Sequence, residues 1–149
     1  MLPEIKKKYV ETGALELIFL DFPLDFHPEA MAAAIAAGCA HEQAKFWAFH
    51  DLLFENAPGF DRKDFPGYAE DLGLDTAAFA QCREKKRPRA GIQQDIREGG
   101  FAGVRGTPTF LLGRRIQGKE KVEILESFGG LSYDDLAEKI ERWLKQPQE

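Results

Sequence analysis

The apolar positions of this chain change spacing as it runs, and the changes divide it into three parts. Residues 3 to 11 set Ile5, Tyr9 and Val10 on one face, which predicts a short helix stopped at Thr12-Gly13. Ala14 to Phe22, ALELIFLDF, is nearly continuous in Leu, Ile and Phe rather than alternating. That is the pattern of a strand covered on both faces, and Pro23 ends it. A buried strand of this kind fed by a helix predicts an α/β sheet rather than a helical bundle.

From Pro28 the period turns helical and stays so to about Gly99. Pro28 suits a first helical turn, and Met31, Ile35 and Cys39 recur four apart along an alanine-rich helix suited to close backbone approach. After His41 a second helix is predicted, with Phe46, Trp47, His50, Leu53 and Phe54 on one broad face, and Asn56 to Gly59 breaks it. Asp61 is the expected cap of a helix through Leu72, although Pro66-Gly67 disturbs its first turn, and Gly73 closes it. Asp75 opens the next helix, carrying Phe79 and Cys82 three apart, and Pro88 opens another.

The last third returns to strand chemistry. Thr109 to Leu112 reads as a strand, Gly113 as the turn, and Arg115 to Gln117 as the antiparallel return, extending or bulging into Val122 to Leu125 past an interruption at 118–121. Ser132 caps a final amphipathic helix with Asp135 in the N3 position; Leu136, Ile140, Trp143 and Leu144 form its expected buried stripe. Residues 146–149 read as a frayed tail.

Composition narrows the function classes. With 149 residues, 44% of them hydrophobic, the chain is long enough for one domain with a core. A net charge of -5 disfavours a general nucleic-acid binder, which draws affinity from Lys and Arg on phosphates. The basic run from Arg83 to Arg89 reads as a solvated helix end. No apolar run approaches the roughly 18 residues of a membrane span, and the N-terminus lacks the apolar stretch and cleavage site of a secretory signal. His27, His41 and His50 lack metal-site spacing, there is no phosphate-binding loop, and Gly99-Gly100 and Gly129-Gly130 read as hinges or caps. No metal or other cofactor is expected.

Proline cannot donate to a strand ladder, so Pro108 in Gly103-Val104-Arg105-Gly106-Thr107-Pro108-Thr109-Phe110 belongs at a strand entry. Taken alone, Thr107-Pro108 is either a trans bond ending a loop or a functional cis turn. Three stretches in order decide how it is read: Asp21-Phe22-Pro23-Leu24 with His27-Pro28; Lys45-Phe46-Trp47 with His50-Asp51-Leu52-Leu53-Phe54; and Gly103-Val104 with Gly106-Thr107-Pro108-Thr109-Phe110. Over nearly its whole length the chain resembles the DsbA-like branch of the thioredoxin superfamily. The resemblance implies an α/β thioredoxin-like fold with an inserted helical domain: one domain over 1–149, the insert at about 28–102, and a strand hairpin and helix at about 103–145. It also makes a cis bond at Thr107-Pro108 the favoured reading.

Members of that branch start their chemistry from Cys-x-x-Cys at a helix N-terminus, where the dipole and free N–H groups favour thiolate. This sequence has no such motif; matching Leu2-Pro3-Glu4-Ile5 to the family's first helix puts it about ten residues before Met1. The family's first strand and the start of its first helix are then absent too. That strand would lie between residues 14–22 and the strand after Pro108. Three arrangements would close the gap: direct pairing of those two strands, a strand from a partner chain, or a true start upstream, which is the preferred expectation.

The only cysteines, Cys39 and Cys82, each lie on an apolar stripe. They are either two buried small hydrophobes or a structural disulfide clamping two insert helices, and an extracytoplasmic address, usual in the family, would permit the bond. The address itself stays open. By resemblance the function is thiol–disulfide exchange on polypeptide thiols or disulfides, inactive as it stands without its cysteine pair. Gly106, Thr107 and Pro108 would be the substrate-binding loop, with Arg105 beside it. A redox-inactive peptide-binding or assembly module and a glutathione-dependent transferase or isomerase are the alternatives. A homodimer through an exposed sheet edge is a further expected partner; nucleic acid and membrane are not.

Overall fold

The computed structural model describes residues 1–57, 64–116 and 122–145. In chain order these form α1 (Leu2–Ile5), a π-helical turn (Lys6–Val10), α2 (Ala30–His41), α3 (Phe46–Glu55), α4 (Phe65–Asp71), α5 (Thr76–Lys85), α6 (Arg89–Phe101), β1 (Thr109–Arg115), β2 (Val122–Gly129) and α7 (Tyr133–Leu144). The class is mixed α/β, as expected. The chain divides into two compact units, one of Leu20–Arg105 and one of Met1–Phe19 with Gly106–Glu149.

The helical unit, Leu20–Arg105, is organised by small residues and aromatic rings. Ala36 and Ala40 are fully buried on α2, and a Cβ on Gly38 would stand 2.6 Å from the Pro88 side chain. Only glycine permits that approach between α2 and the start of α6. Phe49 on α3, also fully buried, is ringed by Phe65 at 6.3 Å, Tyr68 at 6.0 Å and Phe79 at 5.5 Å between centroids. The broad face expected on α3 was drawn too far round: it includes Phe54, which is 66% exposed, and omits Phe49. Phe49 follows Phe46 by three and precedes Leu53 by four, so it lies nearer the centre of the stripe.

Helix ends here follow local chemistry. The Asp75 carboxylate accepts from the Ala78 N–H at 2.9 Å, capping α5. The Gln43 side chain also bonds Asp75, accepting from its N–H at 2.8 Å and donating to its carbonyl at 3.2 Å. At the end of α4, Gly73 takes φ +67, with its N–H on Glu70 O and the Leu74 N–H on Ala69 O. This paired closure needs a left-handed residue, hence the glycine. The expected cap Asp61 and the end of the 56–59 break fall outside the described residues. In the basic run, Arg83 lies over the rings of Phe65 and Phe79, and Arg87 bonds the Glu42 carboxylate through two nitrogens. Lys85, Lys86 and Arg89 are exposed.

In the other unit, Ile5, Tyr9, Leu136, Ala137 and Ile140 form a small core, with Leu15, Phe110 and Phe128 against it. The Tyr9 hydroxyl donates to Glu141 at 3.1 Å, and Lys8 pairs with the same carboxylate at 2.9 Å. These contacts hold Glu141 below the usual carboxylate range, Lys8 first and Tyr9 next. Ser132 caps α7, accepting from the Asp135 N–H at 3.2 Å while its hydroxyl donates to the Asp135 carboxylate at 2.6 Å. The stripe of α7 is shorter than expected, since Trp143 is half-buried and Leu144 exposed.

The strands depart most from expectation. β1 does not end at Leu112, nor does Gly113 turn the chain. Gly113 sits within β1 opposite Ile124, while Leu112 opposes Glu126, so Leu125 is the extra residue of a bulge. A Cβ at Gly113 would lie 2.5 Å from the Glu123 carbonyl oxygen, so the glycine serves close approach rather than a turn. Arg115 closes β1 opposite Val122, and the return strand is Val122–Gly129. The expected interruption at 118–121 lies outside the described residues.

Residues 14–22 were expected as a strand buried on both faces and form none. Only β1 and β2 pair among the described residues, so direct pairing of 14–22 with β1 is not how its backbone is satisfied. Apolar content gives a strand its faces but not its neighbours, and here Ile18 and Leu20 are 51% and 47% exposed.

Candidate functional site

The chain leaves α6 through Gly103, at φ +83, whose N–H meets Gly100 O while the Val104 N–H meets Gly99 O. Val104 is buried and Arg105 exposed. The next three residues, in the sheet unit, are the expected substrate loop. Thr107-Pro108 is a cis peptide bond, and both residues are exposed. The Thr109 hydroxyl donates to the Gly106 carbonyl at 2.6 Å, bracing the loop from its far side.

Pro108 stands directly before β1, where its missing N–H costs no ladder bond. A Cβ on Gly130 would come 3.4 Å from the proline ring, so the residue after β2 is small where the ring lies beside it. Sequence reading took Gly130 for a hinge or cap; only the strand register, which opposes Thr109 to Gly129, brings it here. Beyond β2, β1 has no other ladder partner among the described residues. At its far end Arg115 holds the Glu16 carboxylate with two bonds of 2.7 Å, and this pair depresses the Glu16 pKa. The loop thus stands at the head of a strand whose other side has no ladder partner among the described residues, braced by the Thr109 hydroxyl.

The cysteines lie elsewhere. Cys39 on α2 and Cys82 on α5 are joined in a disulfide, with Cα atoms 5.8 Å apart and each residue 1% exposed. Both cysteines of the sequence are in this bond. Both sulfurs are shut away from solvent within the helical unit. His50 is buried beside Asp51, with Nδ1 2.8 Å from its carboxylate, and it lies between the rings of Trp47 and Phe54. Among the described residues no three His, Cys, Asp or Glu gather as metal ligands, and no helix is long and apolar enough to cross a membrane.

One titratable pair escaped sequence reading. The Asp21 N–H donates to the Asp95 carboxylate at 3.0 Å. Burial, then the nearby Asp95 charge, pushes the Asp21 carboxyl up to about 6. Burial also raises Asp95, the Asp21 N–H opposes that, and Glu98 adds to it. A signal was present, because Asp95 lies on the face of α6 that carries Ile92 and Gly99, both buried.

The family profile described as thioredoxin matches residues 1–128, and the chain belongs to the thioredoxin family. The Na(+)/H(+) antiporter NhaA 3 of Salinispora tropica is 35% identical over 127 residues, 84% of this chain and 20% of that protein. Probable disulfide bond formation protein D of Bacillus cereus is 29% identical over 97 residues, 63% of this chain and 40% of that protein. Disulfide bond formation protein D of Bacillus subtilis is 23% identical over 154 aligned positions, 97% of this chain and 64% of that protein. The chain thus spans 20% of the antiporter's length, and the disulfide-forming relatives support the DsbA-like resemblance. No solved structure matches it significantly.

Proposed function

We propose that this chain is the peptide-binding part of a thiol–disulfide exchange protein, with Gly106, Thr107 and Pro108 holding an extended polypeptide by its backbone. The exposed Thr107 and Pro108 at the head of β1, a strand whose other side has no ladder partner among the described residues, carry this reading. An incoming strand would bond backbone groups around Thr107 and the open side of β1. Backbone pairing reads no side chain, which suits varied polypeptide substrates. The exchange itself needs a thiolate, and with Cys39 and Cys82 bonded and buried it would come from a Cys-x-x-Cys outside these residues.

Insulin reduction by these 149 residues is expected to stay at the uncatalysed rate, and appreciable turnover overturns this account of the site. An unstructured cysteine-containing peptide should shift the amide resonances of Gly106, Thr107 and Thr109 before others. Saturable binding that leaves them unmoved refutes the loop assignment.

The buried disulfide and the match to a fifth of an antiporter favour a second reading, a redox-inactive binding or assembly module. In-frame coding sequence upstream of Met1 discriminates: a Cys-x-x-Cys there supports the enzyme, and its absence supports the module. Titration with glutathione tests the transferase or isomerase alternative.

A further inference from the structure

The two ends of the helical unit meet the same patch of α6. Just inside its first residue, Asp21 bonds Asp95 through its backbone N–H, and Phe22 lies over Gly99 so closely that a Cβ there would stand 2.9 Å from the ring. Just before its last residue, the Val104 side chain lies 3.7 Å from that same Cβ position, and its N–H bonds the Gly99 carbonyl. Gly99 thus packs against both ends.

We propose that Asp21 and Asp95 are a proton-operated latch: with one of them protonated, residues 20–24 lie fixed on α6, and ionisation of both releases that segment. Two carboxylates drawn together and away from water disfavour carrying two charges at once. The pair comprises Asp21 from the segment and Asp95 from α6. Glu98, one turn along α6, acts on Asp95 and accepts from Gln94 Nε2 at 2.8 Å. Among the described residues no lysine, arginine or histidine forms an ion pair with Asp21 or Asp95. The Asp95 charge on Asp21 and the Glu98 charge on Asp95 are both negative, and they oppose the second ionisation.

The direction with pH follows from Asp21. Its carboxyl is raised in the fold from an ordinary 3.8 to about 6, so the folded segment binds the proton more tightly than the released one. The hold is complete below about 4, weakens as pH rises through 6, and stays weak above. The mechanism uses no sulfur chemistry and is independent of peptide binding.

Amide exchange of residues 20–24 between pH 4 and 7.5, corrected for intrinsic rates, tests it in the full chain. Protection should fall about tenfold between about pH 4 and 6 and level off above, a figure reduced for the solvent contact of the pair. Asp21→Asn should abolish the pH dependence while leaving protection at its low-pH level. A flat profile, a fall that does not level off above about pH 6, or pH dependence that survives Asp21→Asn each overturns the latch. Carboxyl carbon NMR titration of the unmodified protein decides independently of the variant, since an Asp21 midpoint near 4 would also refute it.

Discussion

In the helical unit, the apolar stripes of α2 to α6 pack into one core within residues 20–105, with Phe54 and Phe101 left exposed at their edges. Phe49 lies among three rings, Ala36 and Ala40 have no exposed surface, and a disulfide ties α2 to α5. In the other unit Ile18, Ile124 and Leu125 remain exposed, and the sheet has only two strands among the described residues. A helix satisfies its backbone from its own next turn, so a group of helices can close over a local stretch of chain. A strand satisfies its backbone only beside another strand, so its completeness depends on chain from elsewhere.

The comparison breaks most sharply at Phe49. Phe49→Ala should cost about 3 to 5 kcal/mol, whereas exposed Phe54→Ala on the same helix should cost about 0.5 kcal/mol or less. Urea unfolding of the two variants measures the difference, and equal losses would mean that α3 is packed on its other face. Next comes the disulfide, whose cysteines are 43 apart in sequence. Its removal in Cys39→Ala/Cys82→Ala should cost about 4 kcal/mol in the chain-entropy model, with the lost hydrogen-exchange protection concentrated in residues 20–105. Loss concentrated in β1 and β2 instead would contradict a self-contained helical unit. The smallest effect expected is in the sheet. Gly113→Ala must displace the Glu123 carbonyl and should cost about 1 to 3 kcal/mol, with amide shifts confined to the bulge. A neutral outcome would show that the ribbon yields freely there.

The same contrast explains what was legible in the sequence. Asp75, Gly73 and Ser132 act on atoms within a few residues of themselves, so the ends they mark were readable. Gly113 was misread because glycine serves turns and close approaches equally, and only the register distinguishes them. Residues 14–22 were misread because apolar content does not reveal whether a neighbouring strand is there. The loop at Gly106-Thr107-Pro108 was legible through resemblance, since a lone proline leaves its isomer open. Gly130 beside Pro108 and Asp21 beside Asp95 depend on pairings across the fold, although a carboxylate on the buried face of α6 was a local sign of the second.

The Cys39–Cys82 bond has a topological consequence as well. It turns residues 39 to 82 into a covalent ring that contains all of α3 and α4. A single protease cut anywhere on that ring opens the loop without parting the protein into two molecules, so both pieces migrate together until the bond is reduced. The ring therefore keeps a nicked helical unit in one piece, and gel mobility with and without reductant maps any cut to inside or outside it.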